Sequence, residues 1–194
     1  MTMEALRILI ADDESIRLLS LRQQLRALGH QVVAEASNGQ EAVALAETTR
    51  PDLAILDIKM PVMDGIEAAQ QITRARPIPI ILLTAYNETE LVERAAQANI
   101  SAYLMKPVAE EDLLPAITLA LTRFRQFEAL RREVNDLREA LEARKVIERA
   151  KGILMRRLNL TEEEAFRRLQ KQSQDTNRKL AQVAEAIILA DQML

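Results

Sequence analysis

The stretch LAILDIKMPVMDG, residues 53–65, decides how the first half of this chain is read. Its first four residues are apolar without interruption, and they end at a carboxylate, Asp57. A strand with one face in water alternates apolar and polar residues. A strand buried on both faces does not, and parallel sheets covered by helices on both sides contain such strands. Asp64-Gly65 reads as a turn that closes the stretch.

Working outward, the same pattern recurs. RILIA (7–11), VVAEA (32–36), PIILL (79–83) and AYLM (102–105) are further strand candidates. Between them lie apolar residues at helical spacing, such as Ile16, Leu19 and Leu21, or Ala42, Val43 and Ala46. Strands that alternate with helices predict a parallel sheet wrapped on both faces. Five βα units in this length predict a doubly wound α/β domain with strand order 2-1-3-4-5. Its boundary falls at 1–122.

Beyond Pro115 the pattern changes. No glycine or proline occurs from 116 to 151. Ile117, Leu121 and Phe124 are followed by Phe127, Leu130, Val134, Leu137 and Leu141 at alternating spacings of three and four. This is a heptad seam on one long helix, with 123–140 as a coiled-coil-like linker. The seam suits either packing on its own chain or a coiled-coil homodimer. Residues 141–194 then predict a small all-α unit of three helices. The first ends near Asn159. Thr161 and Glu164 form a capping box that opens the second. Asp175-Thr176-Asn177 breaks it, and Leu180, Val183, Ala184 and Ile187 give the last helix its apolar face.

Composition bounds the function. The 194 residues hold no cysteine, which excludes disulfides and thiolate metal sites. Residues 1–12 lack a secretory pattern, and no apolar run approaches the ~20 residues of a membrane span. A cytoplasmic protein without membrane contact is expected. Charge is divided unevenly. Residues 1–110 carry 15 acidic and 10 basic side chains, a net of −5, whereas Arg123 to Lys179 carry 16 basic and 10 acidic, a net of +6. That asymmetry suits an anionic partner for the C-terminal part.

Polar residues gather at the carboxyl ends of the predicted strands, where open α/β sheets bind ligands. Asp12 and Asp13 end the first, Asp57 the third, Thr84 the fourth and Lys106 the fifth. Converging carboxylates call for a hard divalent cation on oxygen ligands, with Mg2+ favoured. Lys106 adds a fixed positive charge, while Thr84 and the backbone N–H of Ala85 can hold a phosphate. This set suits a carboxylate that accepts a phosphoryl group. There is no GxGxxG or P-loop, so an ATP-using kinase is not indicated, and with His30 the single histidine a set of histidine metal ligands is not available.

Residues 7–120 resemble the receiver domain of two-component response regulators. The resemblance is carried by ILIADDE (8–14), LAILDIKMPVMDG (53–65), IILLTAY (80–86) and YLMKPV (103–108). It implies that Asp57 is the phosphoacceptor for a sensor histidine kinase. Asp13, Asp57 and the Lys59 carbonyl would ligate Mg2+, and Asp12 would assist. Thr84 and Tyr103 would form a switch pair, Lys106 would pair with phosphoryl oxygens, and the Lys106-Pro107 bond would be cis.

In the C-terminal unit, Lys145, Arg149, Gly152 and Arg156 recur at four, three and four, on one helix face, with Arg144 and Lys151 beside it. A basic face suits a phosphate backbone. Gly152 costs ~1 kcal/mol relative to alanine inside a helix, which close approach of another helix or of a partner would explain. Phe166 is expected in the core. Base readout would then fall to arginines and to Gln172, Ser173 and Asn177. Residues 140–187 are similar to the ANTAR domain, through Arg144, Ile147, Glu148, Ala150, Lys151, Gly152, Leu154, Met155, Glu164, Ala165, Phe166, Leu169, Asn177, Leu180, Ala184 and Ile187. The resemblance implies dimeric binding of tandem RNA stem-loops and transcription antitermination. A DNA-binding regulator and a protein-interaction adaptor are the alternatives. The chain would be a regulatory phosphoacceptor, not an enzyme in the usual sense.

Overall fold

The computed structural model describes residues 4–85 and 100–192. It divides into two compact units, Met1–Glu128 and Ala129–Leu194.

The first unit is a five-stranded parallel sheet in the order β2-β1-β3-β4-β5. The strands are β1 (Arg7–Ala11), β2 (Gln31–Ala36), β3 (Leu53–Asp57), β4 (Ile80–Thr84) and β5 (Ala102–Met105). They agree with the sequence reading, apart from one-residue shifts at β2 and β4. Helices α1 (Ser15–Ala27), α2 (Gly39–Thr49) and α3 (Gly65–Ala75) connect the first four. The helix of the fourth βα unit, and Tyr86 of the quoted motif, fall outside the described residues.

The uninterrupted apolar strands are explained by two cores, one on each face of the sheet. Leu9, Ala54, Leu56, Ile80 and Leu82 point to one side, where α2 and α3 supply Ala42, Ala46, Ile66, Ala69 and Ile72. Ile8, Ile10, Leu53, Ile55, Ile81 and Leu83 point to the other. There Leu18, Leu21 and Leu25 of α1 meet Leu113, Ala116, Ile117 and Ala120 of α4, the helix Glu110–Leu158. Alternate residues of one strand therefore enter different cores, and neither set can be polar.

Helix α4 has 49 residues. Pro115 lies inside the second turn, where it cannot donate the backbone hydrogen bond that an N–H at this position would make to the Glu111 carbonyl. Acidic Glu110, Glu111 and Asp112 occupy its first turn and Arg156 and Arg157 its last, in the sense the helix dipole favours. Its C-terminal turns join α5 (Glu162–Thr176) and α6 (Leu180–Gln192) in the second unit. That core is small: Ala150, Leu154, Ala165, Leu169, Val183 and Ala184. The capping box at Thr161 and Glu164 is present, and Asn177 ends α5 in the left-handed region at φ 51°. No described helix is long and apolar enough to cross a membrane.

Candidate functional site

The polar residues predicted at the strand ends do meet. Asp12 follows β1, Asp57 ends β3, Thr84 ends β4 and Lys106 follows β5. Parallel pairing aligns these ends, because Ala11 pairs with Leu56 and Asp57 with Leu83. The backbone pairing runs one residue past β5, where the Lys106 N–H donates to the Thr84 carbonyl at 2.8 Å. Asp12 is 1% exposed and Asp57 4%. The Lys106 ammonium bridges them, 2.9 Å from Asp12 Oδ2 and 2.6 Å from Asp57 Oδ2. The Lys106-Pro107 peptide bond is cis.

Burial pushes the Asp57 carboxyl above the usual carboxylate range. A hydrogen bond and the charge of Lys106 pull it down, the charge of Asp12 pushes it up, and a hydrogen bond from the Lys59 backbone lowers it. One carboxylate oxygen each of Asp12, Asp13 and Asp57 lies within 4.8 Å of the others. Asp13 is exposed, so the cluster opens to solvent on that side. Three hard oxygen donors at that spacing fit a hard divalent cation.

Two glycines shape the loop beneath Asp57. A side chain at Gly65 would overlap the carbonyl oxygen of Asp57 itself. One at Gly39 would come 2.5 Å from the Met63 carbonyl oxygen, to which the Gly39 N–H already donates at 3.1 Å. Asp64 caps α3 by accepting the Glu67 N–H at 2.7 Å. Between them Val62 holds φ at 70°, a region that a β-branched residue occupies under strain.

Thr84 is buried, and its hydroxyl donates to the Ala85 carbonyl at 3.3 Å. Tyr103 is half-buried on β5 opposite Leu82, and burial raises its phenol. Lys59 is exposed. Sequence reading missed Arg17. Its guanidinium lies 3.4 Å from Asp12 and 2.5 Å from Glu14, and only its place in the first turn of α1 could have signalled this.

In the second unit the predicted basic residues separate into two groups. Arg144, Lys145, Arg149 and Arg156 are exposed, and of these Lys145 pairs with Glu142 at 2.7 Å. Lys151 differs from the expected solvent-facing cation. It is buried, holds Glu148 at 3.0 Å and Glu162 at 2.6 Å, and sits 5.8 Å from the Phe166 ring centroid. It fastens α4 to the start of α5, and both glutamate bonds raise its pKa. Phe166 is therefore half-buried under an ammonium group, not enclosed in the core. Ser173 donates to the Arg178 carbonyl at 2.6 Å and Asn177 caps α5, so both have structural work that their residue types alone did not announce.

Comparison with known proteins extends this picture. The model of the response regulator receiver domain matches residues 8–118, and that of the ANTAR domain matches residues 135–188. The transcriptional regulatory protein PdtaR of Mycobacterium tuberculosis is 48% identical over 182 residues, covering 94% of this chain and 89% of the relative. Among solved structures, a receiver domain of a modulated diguanylate cyclase from Desulfovibrio desulfuricans is similar at a TM-score of 0.60 and 35% identity, over 63% of this chain and 98% of that one. A CheY-like receiver domain from Methanospirillum hungatei reaches 0.58 at 35% identity, over 63% and 98%.

Proposed function

Because the chain belongs to the response regulators that carry a receiver followed by an ANTAR domain, we propose that phosphorylation of Asp57 by a histidine kinase controls RNA binding by the second unit, and through it transcription antitermination. The observation that carries the first half is the buried convergence of Asp12, Asp57 and Lys106 beside Asp13. Asp57 Oδ attacks phosphorus, and the bond from phosphorus to the kinase imidazole nitrogen breaks with its electron pair on that nitrogen. Lys106 moves from the carboxylates to the phosphoryl oxygens. The Thr84 hydroxyl and the Ala85 N–H hold another oxygen, and Tyr103 follows Thr84 inward. Asp12, Asp13, Asp57 and the Lys59 carbonyl would hold Mg2+, which supplies charge neutralisation during transfer.

The second half rests on the exposed cations of α4 and on the ANTAR match. Arg144, Lys145, Arg149 and Arg156, with Gly152 among them, form the RNA-facing stripe. Lys151 serves the fold beneath it. Phe127, Leu130, Val134, Leu137 and Leu141 are each between 39% and 63% exposed in the single chain. Five apolar residues at heptad spacing suit a parallel or antiparallel coiled coil with a second copy. The domain limits that fit this reading are 1–122 for the receiver, 123–140 for the coiled coil and 141–194 for the RNA-binding unit, in a cytoplasmic setting.

The test is a mobility-shift titration on a tandem RNA hairpin, with and without Mg2+ and a small-molecule phosphoryl donor, repeated with Asp57→Ala. Tighter binding that requires both the donor and Asp57 supports the reading. Preference for duplex DNA would replace the RNA partner. No salt-dependent binding to either nucleic acid would favour a protein-docking adaptor.

A further inference from the structure

Gly152 has no explanation inside the fold. It lies inside α4, where glycine is a poorer helix former than alanine. Helix interiors accept that cost when another backbone must come close. Here nothing does: a Cβ built on Gly152 meets no atom within 4 Å beyond its own helix backbone. The contrast with Gly39 and Gly65, where a Cβ meets backbone atoms at once, is complete.

The surroundings of the gap are cationic. Ala150 and Leu154 point into the core, and Lys145, Arg149, Gly152 and Arg156 share another face, on which the three cations are exposed. Among the described residues, Arg149 and Arg156 have no carboxylate partner, unlike Lys145, Lys151, Arg157 and Arg167. Seven residues separate the two arginines, about 10 Å along the helix. The notch at Gly152 falls between them. A second protein helix seated there would have to bury two uncompensated guanidinium groups, which is costly. A sugar–phosphate strand would instead bring its charge to both.

We propose that Gly152 is the point at which the ribose–phosphate backbone of a paired RNA stem comes into contact with α4, with Arg149 and Arg156 on the phosphates to either side. This rests on the RNA-binding reading above and deepens it. Paired RNA is recognised largely through backbone shape and phosphates, so a bare helix surface between two arginines is a shape-reading element.

The proposal separates two effects that usually move together. Alanine at 152 fits open space and is the better helix former, so it tightens the helix. The same methyl group holds the RNA strand away. The test uses full-length wild type, Gly152→Ala and Gly152→Leu on a tandem hairpin at several salt concentrations. It also measures amide exchange over residues 145–158 and sedimentation mass. The expected result is slower exchange in Gly152→Ala with weaker binding, and a loss of about tenfold or more for Gly152→Leu. The loss is uniform across hairpin sequences, and the salt slope shrinks by about one or two phosphates. Wild-type affinity in Gly152→Leu with the helix intact overturns the proposal while leaving RNA binding in place. A change of sedimentation mass accompanying the loss also overturns it, by giving the notch to a second copy. Failure of wild type to bind any hairpin removes the RNA reading, and the proposal with it.

Discussion

The two units handle charge in opposite ways. In the first, charged groups from strand ends far apart in sequence are drawn into one buried pocket, where Lys106 spans Asp12 and Asp57. In the second, cations are laid out along one face of one helix and left in solvent. A buried charge must be matched group by group, since each unpaired member costs several kcal/mol. An exposed stripe needs no internal match and keeps its charge for a partner. The pocket is therefore fixed by topology and intolerant of change, and the stripe is local and tolerant.

The largest expected effect tests that division directly. Asp57→Ala abolishes phosphoryl uptake from a small-molecule donor, read on a phosphate-affinity gel, whereas Arg149→Ala leaves uptake at the wild-type level. Loss of uptake in Arg149→Ala would break the separation between the units.

Next comes one substitution made in both. Gly65→Ala forces the Asp57 carbonyl aside and lowers stability by about 3 kcal/mol, as overpacking a filled site does. Gly152→Ala moves stability the other way, by up to about 1 kcal/mol. Urea midpoints for the two variants decide this, and a shared sign would contradict the comparison. Lys151→Ala sharpens it from within the second unit. Although it carries the same charge as the exposed cations, its loss frees Glu148 and Glu162 and lowers the thermal midpoint by a few degrees. Arg156→Ala leaves that midpoint unchanged and weakens RNA binding.

Two smaller effects belong to the first unit alone. Val62→Gly relieves the positive φ and raises stability by about 1 kcal/mol, seen as a shift in urea midpoint. His30 is buried, accepts the Leu6 N–H on Nδ1 at 3.3 Å, and leaves Nε2 without a partner among the described residues. Burial lowers its pKa below the ordinary value of about 6.5. The unfolded chain thus binds this proton more readily than the folded one. The contribution is constant above about pH 6.5, and stability falls as pH drops below it, by at most about 1.4 kcal/mol per pH unit. His30→Asn removes that slope in urea titrations between pH 5 and 7.

Much of this was legible beforehand, and the exceptions share a cause. Apolar runs gave β1, β3 and β5 to the residue; β1 and β3 are buried on both faces, which leaves a one-dimensional trace, while β5 is a partly exposed edge strand. Asp12, Asp57, Thr84 and Lys106 were predictable as a group because each sits at the same end of a strand. Arg17 was missed, since α1 carries several arginines and only the packed helix places this one beside Asp12. Lys151 was grouped with the exposed cations, since helical spacing reports direction around one helix and says nothing of Glu162 on the next.

By itself, the sequence determined the alternation of strand and helix, the heptad seam, the capping box at Thr161 and the basic stripe on α4, all of them properties of residues within a few turns of one another. Only the tertiary structure decided which charges are consumed and which remain available. It joined Lys106 to Asp12 across 94 residues of chain, pressed Gly65 against Asp57, tied Lys151 to Glu162 and left Gly152 with nothing above it. Electrostatic pairing and steric contact depend on distance in space, and local periodicity records only distance along the chain.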